Sequence, residues 1–443
     1  MPTPTSSRPA SSPVALLPAT LPVKGSGRDL GTAIRMAPGP DGRLWVSIPG
    51  KGGEVVALLD NTGKPSPGWP LLLPDVEGCD LLLPVADASV RVVCTVPPTD
   101  DGLQVPIQRA FAIDANARSL PGWPVDVESV LTGRMKGEEL TLIVQHYLGD
   151  TPTEELVYML GIQADGTVRQ GVNVPFGCCE AAIGPDGVGY LSTHRDWSAS
   201  DLAIVKTDLV AFGLDGPRVG WPVMIDGNGS DLAFDAQGRV YVIVGAPGRP
   251  ARMMVIDRDG KTLSTGSPDS AIVSSNPSRP NGEPGYPAAP VVAADGTAFS
   301  VSTEGGRTTV FALDPAGKPL TGWPYQSNVG IEWTGFCGDG DTGCGYQRTD
   351  PGVGSQNLLY LLQAAASPST GGSMVAVAAN GKVRDGWPVR LKRAGSMFWS
   401  MAVAPDGGVW ALAIEPETRG YSATVLAITD GGTVLYTTTI VEP

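Results

Sequence analysis

The chain has 443 residues, of which only 17% are charged, and a formal net charge of −14. This acidic balance excludes a nucleic-acid-binding surface, because no basic stripe is available to neutralise phosphates. No apolar run approaches the roughly 18–20 residues that cross a bilayer, and the 58 glycines and 41 prolines favour a compact, turn-rich β protein.

The start of the chain predicts a tether. Residues 1–14 are rich in proline, serine and threonine, a composition typical of flexible linkers, and they lack the apolar core of a signal peptide. We expect this tether to follow a removed secretory or lipoprotein leader. The alternative is the disordered N-terminus of a cytoplasmic protein.

The tripeptide Gly-Trp-Pro divides the rest of the chain into repeats. It occurs five times, at successive distances of 54, 98, 102 and 64 residues, so two gaps are close to twice a unit of about fifty. Degenerate copies in residues 165–175 and 258–268 fill those two gaps. This period is typical of a propeller or a solenoid. The tryptophans of the five copies are Trp69, Trp123, Trp221, Trp323 and Trp387.

Each repeat predicts four short antiparallel strands, which make one propeller blade. Asp-Gly turns between apolar runs, such as Asp41-Gly42, indicate hairpins. Gly-Trp-Pro opens the fourth strand, where a proline need not donate a ladder hydrogen bond. We therefore predict an all-β fold with a single eight-bladed propeller over residues 15–443, with seven blades as the alternative, closed by a strand at residues 15–23. The predicted blades span residues 31–74, 79–127, 129–176, 178–225, 229–271, 286–328, 330–391 and 396–443.

The repeat resembles that of the quinoprotein family, the propellers related to pyrroloquinoline-quinone (PQQ) alcohol dehydrogenases. The docking motif of that family reads Ala-x-Asp-x-x-Thr-Gly-x-x-x-Trp. Residues 57–64 read Ala-Leu-Leu-Asp-Asn-Thr-Gly-Lys and lead to Trp69 with about one extra residue, and residues 312–318 lead similarly to Trp323. The motif implies blade packing, and a shared fold does not imply a shared function.

If the chain is an enzyme, the resemblance implies a quinone site. Cys178 and Cys179 would contact the cofactor, as a vicinal disulfide does in the quinoprotein dehydrogenases, and Glu180 or Asp231 would ligate calcium. The chain departs from the family because the insertions that close over the substrate have no counterpart here.

The cysteines predict an oxidising compartment. The six cysteines form three sets: Cys79 with Cys94, Cys337 with Cys344, and Cys178 with Cys179. The first set flanks a hairpin turn and the second brackets a short Gly/Asp loop, so both can form disulfides, while the adjacent pair is either a vicinal disulfide or two thiols. An even count with two sets that can pair favours an extracytoplasmic location. Buried free cysteines are the alternative.

The parity of a four-stranded meander predicts a binding face. The second connection of each blade and the links between blades leave from one face, and they are long and dissimilar, whereas the first and third connections on the other face are short. Variable loops on a rigid scaffold are where binding usually occurs. The predicted second connections are residues 97–108, 149–155, 193–208, 245–251, 367–373 and 415–422, and the longest link is 266–286.

Three tryptophans fall outside the repeat and are candidates for binding. Trp197 lies in a predicted loop with His194 and Arg195, and Trp333 and Trp399 fall near the starts of first strands. Aromatic rings beside polar groups suit a sugar, a peptide or another protein. Local packing of each ring is the alternative.

Acidic residues recur at the starts of the predicted first strands, which line the central channel of a propeller. Asp80, Glu180 and Asp231 share this position, with Glu332 close by. Carboxylates gathered at one mouth repel each other unless a cation or an arginine intervenes, and Ca²⁺ takes oxygen ligands of this kind. A solvated ring of turn-capping acids is the alternative.

These patterns favour a binding or scaffold function. We expect an extracytoplasmic, monomeric propeller that presents its variable loops to a protein or glycan partner. The alternative is a metal-dependent propeller enzyme, of the quinoprotein dehydrogenase, lactonase or lyase type, with its site at the acidic channel mouth.

Overall fold

The computed structural model describes residues 33–97, 107–147, 155–176, 179–195, 206–246, 249–266, 290–304, 306–331, 333–336, 345–348, 351–367, 369–418 and 420–441. These residues form eight four-stranded antiparallel blades in a ring, with almost no helix. The all-β fold and the eight blades are therefore confirmed.

Blades 1 to 4 follow one another along the chain with strands in sequence order. Blade 1 has Arg35–Pro38, Leu44–Gly50, Gly53–Leu59 and Leu71–Pro74. Blade 2 has Glu77–Pro84, Val90–Thr95, Gln108–Ile113 and Val125–Val127. Blade 3 has Ser129–Lys136, Glu139–Tyr147, Glu155–Ile162 and a divided fourth strand, Val168–Gln170 with Val174–Phe176. Blade 4 has Cys179–Ile183, Gly189–Arg195, Lys206–Gly213 and a divided fourth strand, Gly216–Pro217 with Val223–Asp226.

Blades 5 to 8 repeat this order. Blade 5 has a divided first strand, Asn228–Gly229 with Ala233–Phe234, then Val240–Ala246, Arg249–Ile256 and Thr262–Gly266. Blade 6 has Val291–Val292, Ala298–Glu304, Arg307–Leu313 and Tyr325–Ser327. Blade 7 has Gly352–Val353, the 3₁₀ turn Ser355–Asn357, then Leu359–Gln363, Ser373–Val377 and Val389–Arg390. Blade 8 has Met397–Val403, Val409–Glu417, Gly420–Ile428 and Val434–Val441.

The core lies between the blades. Successive side chains of a strand point to opposite faces of its sheet, so each blade packs on both neighbours. In blade 1, Leu44 and Val46 join a cluster shared with blade 8, while Trp45 joins the cluster shared with blade 2. A buried hydrophobic cluster of this kind joins every neighbouring pair of blades, including the last and the first.

The two faces of the ring differ. We call the face that carries the first and third connections, such as residues 39–43 and 60–64 of blade 1, the turn face. The face that carries the second connections and the blade links, such as residues 50–53 and 74–77, is the loop face. Almost every connection on the turn face repeats one five-residue turn with two backbone hydrogen bonds. The N–H of the first residue donates to the carbonyl of the fifth, and the N–H of the fourth donates to the carbonyl of the first.

The Gly-Trp-Pro tryptophans join neighbouring blades at the turn face. Each indole Nε1 donates to a carbonyl in a turn of the next blade at 2.9–3.1 Å. Each ring also rests on a side chain near the start of the second strand of its own blade: an aromatic ring at centroid distances of 4.9–5.5 Å, or a guanidinium in blade 2. The donor and acceptor pairs are Trp69 with Ala115, Trp123 with Ala164, Trp221 with Arg258, Trp323 with Ala379 and Trp387 with Asp430. The Trp-Pro bond of each copy is cis.

The ring closes without Gly-Trp-Pro. Tyr436 in the fourth strand of blade 8 packs on Trp410, and its hydroxyl donates to the Asp60 carbonyl of blade 1 at 3.2 Å. Thr438 donates to the Gly63 carbonyl of the same turn at 2.8 Å. All four strands of blade 8 come from the end of the chain, and residues 1–14 and 15–23 lie outside the described residues.

The innermost strand of blade 7 is interrupted. Ile331 pairs with Gln363 as an isolated bridge, and the strand resumes only at Gly352–Val353. Between these points the chain forms a separate two-stranded hairpin, Trp333–Phe336 with Gly345–Arg348. The segment predicted as one blade at 330–391 thus contains a four-stranded blade and an inserted hairpin.

Candidate functional site

The loop face carries connections of very different length. Tight turns join Gly50 to Gly53 and Glu417 to Gly420, whereas residues 96–107 separate the second and third strands of blade 2. Strand pairing extends farther than the sequence predicted in blades 4 and 8. The connections predicted at 193–208 and 415–422 therefore shorten to residues 196–205 and a two-residue turn.

The predicted acidic residues lie at the loop-face end of the innermost strands, but in two separate groups. Asp80 lies in the first strand of blade 2 beside Arg35 of blade 1. Glu180 of blade 4 instead pairs with Asp231 of blade 5. Glu332 lies outside the described residues. The structure thus brings together two of the three predicted metal ligands.

The first group is a polar network between blades 1 and 2. Gln108 Nε2 donates to Asp80 Oδ2 at 2.7 Å, and Gln108 Oε1 accepts from the Val130 backbone N–H at 2.6 Å. Although Asp80 keeps contact with solvent, desolvation raises its pKa, against the opposing effects of the Arg35 charge and the hydrogen bonds from Gln108 and Thr95. The guanidinium of Arg35 thus supplies a positive charge beside this carboxyl.

Glu54 is a buried member of the same network that the sequence did not indicate. Its side chain is 0% exposed, and Oε1 accepts a hydrogen bond from Ser47 Oγ at 2.5 Å, while Oε2 has no partner that meets hydrogen-bond geometry. Burial raises the pKa of Glu54 to about 7, opposed by the Ser47 hydrogen bond, the Arg35 charge and the nearby Gly78 N–H. The group therefore titrates close to neutral pH.

A repeated structural role explains the position of Glu54. At the start of the third strand, polar side chains hold the link to the next blade: Gln108 as above, Thr207 by donating to the Gly227 carbonyl, and Thr308 by donating to the Val329 carbonyl, both at 2.8 Å. Glu54 takes this place in blade 1. The detectable signal is a polar residue where strand alternation predicts an interior position.

The second group is the carboxyl pair of blades 4 and 5. Glu180 reaches solvent, yet the surrounding protein desolvates it, and this burial raises its pKa to about 7 together with the charge of Asp231 and a hydrogen bond to it. Two carboxyls this close favour holding one proton between them. The arrangement can exchange a proton near neutral pH.

A third polar pair lies on the blade 2–3 link. His146 Nδ1 lies 2.7 Å from Glu128 Oε2, with both side chains half-buried. Arg109 pairs with Asp126 next to it through Nε at 2.5 Å. The sequence did not predict the pair of His146 and Glu128, because Glu128 lies in a link between strands and its spacing from His146 follows no recognisable pattern.

The predicted aromatic set is dispersed. His194 and Arg195 end the second strand of blade 4, paired by their backbones with Thr207 and Lys206. Trp333 begins the inserted hairpin. Trp197 lies outside the described residues.

Trp399 corrects the expectation of an exposed ring. It is 6% exposed and packs in the cluster between blades 8 and 1. A register shift between Phe398 and Ser400 places it in a bulge, so that Phe398 packs toward blade 7 and Trp399 toward blade 1. Trp399 is therefore a packing residue.

The Cys79–Cys94 disulfide is confirmed. The two residues are register partners in neighbouring strands of blade 2, with Cα atoms 3.8 Å apart. Cys179 begins the first strand of blade 4. Cys178, Cys337 and Cys344 lie outside the described residues, so the other two predicted sets stay predictions.

Neither a metal-binding cluster nor a membrane-spanning helix occurs among the described residues. Among the described residues, no three histidine, cysteine, aspartate or glutamate side chains are close enough to hold a metal ion. In the same part of the chain, no helix has the length and apolarity needed to cross a membrane.

Comparison with solved structures supports the fold. The chain is similar to dipeptidyl peptidase 4 from Porphyromonas gingivalis, with a TM-score of 0.52 and 11% identity over 92% of this chain and 59% of that chain. It is also similar to prolyl oligopeptidase B from Galerina marginata, with a TM-score of 0.46 and 10% identity over 90% of this chain and 56% of that one. The chain thus spans less than two thirds of these proteins. No protein-family model matches it, and no curated protein matches it in sequence.

Proposed function

We propose that this propeller is a binding or scaffold protein that presents its loop face to a protein or glycan partner. The observation that carries the proposal is the asymmetry of the two faces. The turn face repeats one closed turn whose carbonyls accept the indoles that join the blades, whereas the loop face carries connections of unequal length, from the tight turn between Gly50 and Gly53 to residues 96–107. A rigid scaffold with divergent loops on one face is suited to recognition.

The charges on the loop face favour a polar partner. Ion pairs stand on it at Arg109–Asp126 and Arg393–Glu417. Mixed charge of this kind gives specificity more than affinity. A partner with hydrogen-bonding groups on its surface, such as a glycan or a polar protein epitope, fits this surface.

Site-specific photo-crosslinking tests the proposal. The photoreactive amino acid p-benzoylphenylalanine replaces Lys51 or Lys206 on the loop face, or Asn116 or Asn380 on the turn face, all of which are exposed. We expect adducts with one defined protein or glycoprotein from the loop-face positions only. Equal labelling from both faces would contradict the proposal, and so would no adduct from either loop-face position.

The compartment belongs to the same proposal. The buried Cys79–Cys94 disulfide supports an extracytoplasmic location, because such bonds persist mainly in oxidising compartments. Fractionation of the native host, with disulfide mapping of the protein in each fraction, tests it. A protein found reduced in the cytoplasm would be contrary to the proposed location.

A second candidate function, acid–base catalysis at the channel mouth, is favoured by the Glu180–Asp231 pair. A carboxyl with a pKa of about 7 is suited to exchange a proton at neutral pH. The quinoprotein resemblance adds Ca²⁺ and PQQ as candidate ligands for this pair. A thermal-shift titration with each, on the wild type and on Glu180→Gln, separates the two functions. A shift that Glu180→Gln abolishes favours the enzyme, and no shift favours the binding protein.

A further inference from the structure

A cleft of about 260 Å³ lies on the turn face at the junction of blades 8 and 1. Its walls include Trp410, Tyr436 and Ala427 of blade 8 and Gly42 and Asn61 of blade 1. This is the junction that closes the ring without a Gly-Trp-Pro segment. The preceding junction, between blades 7 and 8, shows what stands in the equivalent place.

In that preceding junction the indole of Trp387 is surrounded by an aromatic ring, an alanine and two turns. Trp387 packs on Tyr360 at a centroid distance of 5.5 Å, and Ala376 is the strand partner of Tyr360. The indole N–H donates to the carbonyl of Asp430, the second residue of its turn, and the Tyr360 hydroxyl donates to the carbonyl of Gly407, the fourth residue of another turn.

The walls of the cleft match these surroundings one for one. Trp410 stands in the place of Tyr360, and Ala427 is its strand partner. Asn61 is the second residue of the turn that begins at Asp60, and Gly42 is the fourth residue of the turn that begins at Gly39. The cleft therefore repeats the surroundings of a Gly-Trp-Pro indole at a junction that has no Gly-Trp-Pro segment.

Tyr436 packs on Trp410 at a centroid distance of 5.5 Å, as Trp387 packs on Tyr360, and the cleft of about 260 Å³ remains beside its ring. The chain of blade 8 passes from the turn at residues 429–433 straight into its fourth strand, so Tyr436 enters from the strand rather than from a separate loop. Its hydroxyl reaches the Asp60 carbonyl, one residue before the position at which the other junctions accept the indole. Asn61 stands at that acceptor position.

We propose that this cleft binds the indole ring of an external ligand, with the indole N–H donating to the Asn61 carbonyl. The volume is below the roughly 300–1,000 Å³ of drug-sized pockets, which favours one bicyclic ring. The exposed carboxylate of Asp406 lines the cleft, and Asp60 stands beside Tyr436, so a cationic group next to the ring is complementary in charge. The same ring and charge occur in an indole amine and in a tryptophan-bearing peptide.

Fluorine NMR with 5-fluorotryptamine tests the site, because its signal is free of the ten tryptophans of the chain. We expect a saturable shift or broadening with the full chain. The 1-methyl analogue, which cannot donate from the ring nitrogen, should bind about fivefold more weakly, as expected for one hydrogen bond of about 1 kcal/mol. No saturable binding at millimolar concentration, or equal binding of the 1-methyl analogue, would overturn the proposal.

Two matched variants locate the binding. Leu435 lines the cleft and is 62% exposed, so Leu435→Trp places a competing indole at its edge with little effect on folding, and it should abolish the fluorine signal change. Val219 is 95% exposed in blade 4, away from the cleft, and Val219→Trp should leave the change intact. If Leu435→Trp retained wild-type binding with an unchanged unfolding transition, the assignment to this cleft would be wrong.

Charge and competition then identify the class of ligand. Asp406→Asn should weaken 5-fluorotryptamine and leave neutral N-acetyltryptophan amide unchanged, and equal weakening of both would overturn the role assigned to the carboxylate. N-acetyl-Trp-Pro-amide should displace 5-fluorotryptamine if peptides are the natural source. Binding of the amine without this displacement would restrict the ligand to small indole amines.

Discussion

The buried carboxyl of Glu54 should make the protein less stable as the pH rises. Its pKa is about 7 in the folded protein against 4.5 in the unfolded chain. Between these values the folded state holds a proton that the unfolded state has released, so stability is full below about pH 4.5 and falls up to about pH 7. A shift of this size corresponds to about 3 kcal/mol. The direction is opposite to that of a carboxylate stabilised by an ion pair.

The variant Glu54→Gln isolates this effect. A glutamine keeps an oxygen that accepts from Ser47 Oγ but carries no charge at any pH, so it should match the wild type near pH 5 and exceed its stability by up to about 3 kcal/mol at pH 8. Urea unfolding midpoints of both proteins at half-unit steps from pH 4.5 to 8.5 give this difference. Other titrating groups, including Glu180, occur in both proteins and cancel.

One further variant provides the control. Removing the hydroxyl in Ser47→Ala takes away a hydrogen bond that lowers the pKa of Glu54, so the loss of stability should extend to higher pH. If the difference in the free energy of unfolding between wild type and Glu54→Gln stayed constant from pH 5 to 8, the raised pKa of Glu54 would be contradicted. Such a result would mean that Glu54 is already ionised in the folded protein at the lower pH.

Three further predictions concern the ring itself. Trp69→Phe removes the donor to the Ala115 carbonyl at 3.0 Å and leaves a small void, which should lower the free energy of unfolding by about 2 kcal/mol in urea titrations. An unchanged midpoint would mean that the indole does not stabilise the contact between blades 1 and 2. Tyr436→Phe removes one of the two side-chain hydrogen bonds given above for the junction of blades 8 and 1, and it should lower the free energy of unfolding by about 1 kcal/mol in the same assay; a wild-type midpoint would mean that this hydrogen bond does not stabilise the ring. Peptide mapping without reductant should recover Cys79 linked to Cys94, and reduction of this 15-residue loop should cost about 3 kcal/mol; free thiols at both positions would contradict the structure.

The sequence predicted the fold because one tripeptide marks the same place in most blades. Gly-Trp-Pro directly precedes the fourth strand or, in blade 4, its second segment. Its indole ring packs on a side chain of the second strand of its own blade, and its N–H donates to a carbonyl of the next blade. The accepting carbonyl lies in a turn of the next blade, 37–56 residues further along the chain, so the spacing of the tripeptide follows the length of the blades. The same rule fails at the inserted hairpin, because Trp333–Phe336 and Gly345–Arg348 interrupt a strand without disturbing the flanking tripeptides.

The candidate site was only partly predictable. Asp80, Glu180 and Asp231 were placed at one mouth by counting from the turns, but their partners come from other strands and other blades, which counting along one strand does not reveal. Trp399 shows the opposite error, since a single bulge turned a residue expected at the surface into the core. Spacing along the chain thus predicts where a residue lies along its strand, between the turn face and the loop face. It does not predict which residues of other strands and blades contact it.

The two faces hold the blades together by different means, and this bears on the proposed function. At the turn face the joining groups include the indoles and the hydroxyls of Tyr360, Tyr436 and Thr438, which do not change charge near neutral pH. At the loop face they are polar side chains that hold the links, and in blade 1 that side chain is the titratable Glu54. Ionisation of Glu54 therefore acts beside Gly78 and Asp80, at the start of blade 2 on the loop face. If a partner binds that face, its affinity should change between pH 6 and 8 in the wild type and stay constant in Glu54→Gln, whereas binding to the turn face should be insensitive to this substitution.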